Sequence, residues 1–513
     1  MENQNNDMQS EVNEKQINLT NFIESVDVLE NGPRKVKQNT EQRNAIIDQF
    51  PIFAFASLLY AVVYTFCMYE NLCGIASSVL VIGSIGYIYF ILKKLGYEFR
   101  KKHIIYGVIV VLLGANLFFT MDPFLHFVDY VAIILVIISG VFSVIYDTKG
   151  WDLGDSMKAI LSHLFGAMGN IFDIGYDWSK YAKNKDKKAG IGTYIAIGII
   201  VTVPVLAVVL ALLSGADAVF GNMISGLFDD IEFGDIIGIG FVFVGALLGV
   251  YSWLTFFVND YIKVNETDKR TKEPVVLIVV GVALGLVYLL FCGIQVVYLF
   301  AGIGELPKGY TYATYAREGF SQLMFVCLIN LVFVLIGVKY FKENTVLKVI
   351  LTVITGCTYL MVVSSAYRMY MYVSVYQMSL LRIWVLWTLV WLSFIFTGAL
   401  ITVYNKKFSL FMYSMIVTSV LYIAFAYARP AYIVASYNLS DCYEQDKIDY
   451  AYLRYDINED ATGPILKYYE NADDENKAKI VEFFATNKEI EKHKTTIRNY
   501  NISRTYYYKQ KMR

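Results

Sequence analysis

Residues 103–146 read HIIYGVIVVLLGANLFFTMDPFLHFVDYVAIILVIISGVFSVIY. Two apolar blocks, 103–121 and 124–146, meet at an Asp-Pro pair. Each holds about 20 residues, enough for an α-helix rising about 1.5 Å per residue to cross the roughly 30 Å hydrocarbon layer of a bilayer. Neither block alternates polar and apolar residues as a membrane β-strand does. In lipid only a helix satisfies its own backbone amides within one segment. The connection, 122–123, is as short as a membrane hairpin allows.

The same pattern recurs on both sides of this pair. Further apolar blocks cover 50–69, 74–92, 190–213, 236–258, 274–302, 319–338, 346–366, 380–404 and 408–428, which makes eleven in all. The 513-residue chain is 56% hydrophobic and only 17% charged, against about 25% charged in soluble domains. That balance excludes a soluble enzyme, a disordered chain, a collagen and a disulfide scaffold. The predicted fold is all-α: a polytopic transmembrane helical bundle of about eleven helices, with an interfacial amphipathic helix and a small helical C-terminal extramembrane module. The chain divides into a polar, disordered cytoplasmic tail (1–49), helices one to four (50–146), an amphipathic interfacial helix with a basic loop (147–189), helices five to eleven (190–428) and an extracytoplasmic helical tail (429–513). The first 49 residues contain no apolar core of the signal-peptide kind. In the tail, Ile448, Tyr452 and Tyr455, then Ile465, Leu466 and Tyr469, then Ile480, Phe483 and Phe484 predict three short amphipathic helices, and RTYYYKQKMR reads as a frayed end.

Charge orients the bundle. Of the 44 Lys and Arg, alternate connections starting from the amino-terminal tail hold 26, the intervening connections hold 4, and the tail after the last block holds 14. The positive-inside rule then places the amino terminus in the cytoplasm and the carboxyl terminus outside. The outer loop 214–235 carries Asp217, Asp229, Asp230, Glu232 and Asp235 without a single base, a solvated acidic loop whose spacing is not that of an EF-hand. Segment 151–178 places Leu153, Met157, Ile160, Leu161, Leu164, Phe165, Met168, Ile171 and Phe172 three and four residues apart, and KYAKNKDKK follows. This is an amphipathic helix expected to lie in the inner interface with its lysines near anionic headgroups.

Ionisable side chains inside a span are costly and invite a functional reading. The helix centres read as nearly free of them, with no Asp/Glu/His chain for a proton relay. Polar specialisation gathers at predicted outer ends. GELPKGYTYATYAREGFSQ (304–322) offers Glu305, Tyr312, Tyr315, Arg317 and Glu318, and SSAYRMYMYVSVYQMSLLR (364–382) offers Arg368, Tyr372, Tyr376 and Arg382. Arg368, Tyr372 and Tyr376 recur every four residues, on one helix face. These nine residues form the candidate ligand-binding cup, suited to an anionic lipid headgroup or another envelope ligand. The competing reading is an aromatic belt with snorkelling arginines. The six Cys and four His form no metal-ligand spacing, no nucleophile motif is present, and a net charge of -1 gives no reason to expect nucleic acid. No catalytic residue, metal or cofactor is expected, and the oligomeric state is not legible. A disulfide between Cys73 and Cys442, both on predicted outer segments, is left open.

ADAVF after the fifth block, TYATYAREGFSQL at the eighth, YRMYMYVSVYQMSLLR before the tenth, then RPAYIVASYNL and DYAYLRYDINEDATGPIL in the tail follow in an order that resembles bacterial membrane proteins of the domain-of-unknown-function families 4173 and 4153. The likeness covers roughly residues 100–470. It implies a multispanning protein of the bacterial cytoplasmic membrane and brings no activity or catalytic residue with it. The expected function is a non-enzymatic membrane protein that recognises an envelope ligand or lipid at its outer face, as a signalling protein or scaffold. The alternatives are a transporter or flippase of a lipid-like substrate, and a membrane-embedded transferase or hydrolase using Glu305, Arg317 and Glu318.

Overall fold

The computed structural model describes residues 41–146, 151, 153–184, 209, 213, 220, 233–258, 270–300, 312–405, 407–440, 448–486 and 496–511. Among them the chain is helical, with one isolated bridge between Lys272 and Phe341 in place of any β-strand. A short helix α1 (Glu41–Asp48) leads into four long ones: α2 (Phe50–Met68), α3 (Ile75–Lys94), α4 (Ile104–Phe119) and α5 (Pro123–Ile145). Two amphipathic helices follow, α6 (Leu153–Gly166) and α7 (Asp173–Asn184). Then come α8 (Phe233–Val258), α9 (Val275–Phe300), α10 (Tyr312–Tyr340), α11 (Thr345–Tyr376), α12 (Leu380–Tyr404) and α13 (Leu410–Tyr427). The C-terminal module is built from α14 (Pro430–Asn438), α15 (Tyr450–Tyr455), α16 (Thr462–Asn471), α17 (Asp474–Thr486) and α18 (Ile502–Lys511).

Ten of these helices, α2–α5 and α8–α13, are long and apolar enough to cross a membrane. Their outward faces carry large apolar side chains such as Phe55, Phe66, Phe241, Leu286 and Leu290, a surface that suits lipid and not water. The protein is a multi-pass membrane protein. The expected block 190–213 lies outside the described residues, as do residues 1–40 and the acids Asp217, Asp229, Asp230 and Glu232.

Helices α2, α3, α4, α5 and α8 pack as one group and α9–α12 as a second, with α13 set between α12 and α4. The seam is aromatic. Trp384 and Trp387 of α12 meet Tyr422 and Phe425 of α13, and Trp391 Nε1 donates to Thr418 Oγ1 at 2.8 Å. The tryptophan stripe therefore serves packing.

Three elements differ from the sequence reading. Glu41–Asp48, inside the segment read as polar tail, is a helix with Arg43 fully buried. Helix α11 continues ten residues past the expected end at 366, to Tyr376, and at 32 residues it is about 48 Å long, well over the bilayer core. The run RTYYYKQK, read as a frayed end, lies in α18 with Tyr507 fully buried. The three tail helices expected around residues 448–455, 465–469 and 480–484 are present as α15, α16 and α17. They share a core of Val434, Ala435, Leu453, Ala461, Ile465, Ile480 and Tyr507, to which α12 adds Ile383.

Helix α6 and the turn after it bury Asp155, Ser156, His163 and Asn170 beside Ala159 and Ile160, while Met157, Leu161, Phe165, Met168 and Phe172 face outward, an apolar face that suits lipid rather than water. Helix α7 packs Ile174, Trp178 and Tyr181 inward with the buried Asp173 and Asp177.

Candidate functional site

The C-terminal module is fastened to three interhelical turns at one end of the bundle. The first is the α2–α3 turn. Leading N–H groups of a helix have no partner within it, and here Ile75 N donates to Tyr500 O at 3.0 Å and Ala76 N to Arg498 O at 3.2 Å. Gly74 precedes them at φ +111, and a Cβ there would meet Asn499 C and Tyr500 O at 3.0 Å, so only glycine admits this strand of the tail. Arg498 Nη1 reaches back to Phe66 O at 3.2 Å, near the carboxyl end of α2.

The second is the α4–α5 turn, where Thr120 is fully buried and saturated. Its carbonyl accepts from Asn501 Nδ2 at 2.7 Å and interacts with His126 Nε2 at 3.0 Å. Its hydroxyl donates to Asp460 Oδ2, and Met121 N donates to Asp460 Oδ1 at 3.1 Å. Asp122 caps α5 by accepting from Phe124 N at 2.9 Å and Leu125 N at 3.1 Å, with Pro123 at the first helical position. Burial raises the carboxyl pKa of Asp122, opposed by those two cap bonds. Burial also raises that of Glu459, with a further push from Asp460.

The third is the α11–α12 turn. Asn438 Nδ2 donates to Met378 O at 2.9 Å, Met378 N donates to Asn438 Oδ1 at 2.8 Å, and Leu380 N donates to Tyr452 OH at 2.8 Å. Backbone at positive φ outside glycine occurs at Glu70, Gln377 and Arg429, all at this same end. Such residues are strained by about 1–3 kcal/mol and persist only where their surroundings hold them.

The predicted cup is partly at this end, and its described members are occupied with structure. Arg382 stacks on the Tyr372 ring at 4.1 Å and donates to the carbonyls of Tyr376, at 2.7 Å, and Gln377. It closes the carboxyl terminus of α11, whose last carbonyls need donors. Tyr372 and Tyr376 pack edge to face, with centroids 5.3 Å apart. Arg368 is buried, donates to Gln295 Oε1 at 3.1 Å, and lies against Gly319 of α10 so closely that any side chain there would collide with its guanidinium. The structure thus brings the YAREGF segment and the YRMYMYVSVY segment together through Gly319 and Arg368. Tyr312, Tyr315, Arg317 and Glu318 fall in α10, with their side chains outside the described residues, and Glu305 lies outside them altogether.

The sequence reading passed over one buried acid. Asp129, in the second turn of α5, is fully buried. It accepts from Asn116 Nδ2 of α4 at 2.8 Å and from Tyr422 OH of α13 at 2.9 Å. The signal was present, an Asp within the block 124–146, but its place near the block's end made it resemble an interfacial residue.

The opposite end is held by ion pairs. Arg43 of α1 donates to both oxygens of Asp177 and to Asp173 Oδ2 at 3.4 Å, and Tyr251 OH of α8 donates to Asp177 Oδ2 at 2.8 Å. Lys339 at the end of α10 lies 3.7 Å from Asp155 of α6, which ties the second helical group to the amphipathic segment. Among the described residues no grouping of His, Cys, Asp or Glu could hold a metal.

No curated protein and no solved structure matches the chain. A family model described as a domain of unknown function (DUF4153) matches residues 107–468, from the first turn of α4 into α16, including Asp129, Arg368, Arg382 and Asp460. The family description assigns no activity. Covering well over half of the 513 residues, this match makes the chain a member of the DUF4153 family.

Proposed function

We propose that the protein is a non-enzymatic membrane receptor or scaffold whose C-terminal module receives an envelope ligand and transmits its binding to the bundle. One observation carries this reading: the module is hydrogen-bonded to turns of both helical groups, at Thr120 and Met121 in the first and at Met378 and Leu380 in the second. A ligand that shifts the module must shift both groups. The arginines of the described cup hold carbonyls and an amide oxygen in place, which favours a positioning role for them over catalysis. In this reading the protein resides in a bacterial cytoplasmic membrane with its amino terminus inside and the module outside. The outward apolar face of α6 and the following turn, through Phe172, lies in the inner interface, and the likeness to family 4173 reflects the same architecture.

The test is complementation of a deletion strain by full-length variants. Detaching the module with D460A/N501A is expected to abolish function, while Glu318→Gln leaves it intact. The reverse outcome would replace this reading with the transferase or hydrolase one. A flippase is the second reading, favoured by a cavity of about 230 Å³ among α2, α3, α5 and α8, lined by Tyr60, Tyr64, Ser84, Tyr87 and Tyr130. Lipid scrambling in proteoliposomes that is lost on filling this cavity would establish it.

A further inference from the structure

We infer that the groove between α3, α4 and α5, at the end opposite the C-terminal module, holds an acyl chain of an anionic phospholipid whose phosphate sits at Arg100, Lys102 and His103. The groove has a volume of about 520 Å³ and is walled by apolar residues including Ile85, Leu92, Ile104, Val108 and Val144, a size typical of small-ligand sites, about 300–1,000 Å³. It runs into a second, polar pocket of about 270 Å³ lined by Glu98, Arg100, Lys102, His103 and Ser143. Arg100, His103 and Val144 line both spaces. An apolar trough that opens into a cationic pocket has the two-part chemistry of a lipid, one part for the chain and one for the headgroup.

The sign of the headgroup follows from the pocket's charges. Arg100 and Lys102 line the pocket and are exposed, against one acid, Glu98. His103 Nδ1 accepts the Arg100 backbone N–H at 3.1 Å, so its proton resides on Nε2. That Nε2 is buried beside Ser143, short of a full hydrogen bond, and is a donor suited to a phosphate oxygen. A zwitterionic headgroup would bring its own cation into this basic pocket, whereas an anionic one would not. Gly107 lines the groove, and a Cβ built there meets nothing within 4 Å. The site lies away from the C-terminal module, so it stands or falls independently of the receptor reading.

The experiment uses the full chain in nanodiscs of equimolar phosphatidylcholine and phosphatidylglycerol, with retained lipid identified by native mass spectrometry. The wild type is expected to retain phosphatidylglycerol preferentially. R100Q/K102Q should lower that preference about fivefold for each cation removed. G107W should cut retention of both lipids by occupying the chain site, and G107L serves if the larger residue impairs folding. An unchanged preference in R100Q/K102Q, or unchanged retention in a folded Gly107 variant, would overturn the proposal. So would displacement of the preference by inorganic phosphate alone, which would assign the pocket to a free anion.

Discussion

At one end of the bundle a buried arginine answers two aspartates. At the other, two carboxylates are buried among neutral donors. Asp177 meets the guanidinium of Arg43, while Asp460 meets the hydroxyl of Thr120 and the amide of Met121, and Asp129 meets Asn116 and Tyr422. Surface ion pairs occur at both ends, with Lys479–Glu475 on the module. Arg270–Glu343, Lys342–Glu273, Lys348–Glu343 and Lys339–Asp155 all lie at the first end. A buried guanidinium needs an answering acid, and Arg43 has two. At the module end the two acids are held by dipoles, the hydroxyl of Thr120, the amide of Met121 and the side chains of Asn116 and Tyr422. The first kind of joint fails when a charge is removed, and the second when an acceptor is removed or its protonation changes.

The largest effect is expected from Arg43→Ala. Removing one partner of a buried ion pair costs about 3–5 kcal/mol because the other charge stays buried. The loss should appear as faster hydrogen exchange in α1 and α7 and a lower melting temperature in detergent. Exchange in the C-terminal module should not change, and if it does, the two joints are not independent. Asp460→Ala comes next. It removes the acceptor for Thr120 and Met121, at about 2–3 kcal/mol for a charged hydrogen-bond group in a buried site. Limited proteolysis should then release the C-terminal module faster while α7 stays protected. Asp460→Asn, which keeps one acceptor oxygen, should fall between Asp460→Ala and the wild type.

The sequence revealed the spans because hydrophobic length is a property of consecutive residues. Ten of the eleven expected blocks correspond to long helices, and the last three helices expected in the tail are in place. The joints were hidden because they are not local. Thr120 and Asp460 are 340 residues apart, and Arg43 and Asp177 are 134 apart. Without those partners Arg43 is simply a base in a polar segment, and Asp460 one acid among several. Arg368 and Arg382 were singled out from composition, which could not show that Arg368 holds Gln295 and that Arg382 holds the end of α11. Asp129 is the opposite case, a residue that local reading alone could have marked.

The two ends should also respond to acid with opposite sign. His163 of α6 is packed between the rings of Phe142, Phe256 and Phe257, and burial holds its pKa down at about 4, from an ordinary 6.5. The unfolded chain takes up that proton first, so the contribution is intact above about pH 6.5 and is lost as pH falls towards 4, about 2 kcal/mol of it by pH 5. Asp122 and Glu459 have folded pKa values raised by burial. There the folded chain takes up protons first, so attachment of the module strengthens as pH falls through those raised values and stops gaining below the ordinary carboxylate range. Hydrogen-exchange protection, taken relative to each amide's intrinsic rate at that pH, should therefore fall in α6 between pH 7 and pH 5 and rise in α16 as pH falls through the raised carboxyl values. His163→Leu should flatten the response of α6 alone. A parallel response at both ends would contradict the difference between the two joints.

The smallest effect is expected at Lys342, whose pair with Glu273 is exposed on both sides. Exposed pairs are worth about 0–1 kcal/mol because water screens them and two long side chains must be ordered. Lys342→Ala should therefore leave the melting temperature almost unchanged, although it removes an ion pair at the same end as Arg43. The contrast with Arg43→Ala separates two explanations of that end's cohesion. If the crowd of surface charges held it together, the two variants would resemble each other and added salt would weaken both. If the buried guanidinium holds it, salt will have little effect on the wild type and only Arg43→Ala will loosen α1 and α7. The second outcome is expected, because Arg43 and Asp177 are shielded from solvent ions and Lys342 is not.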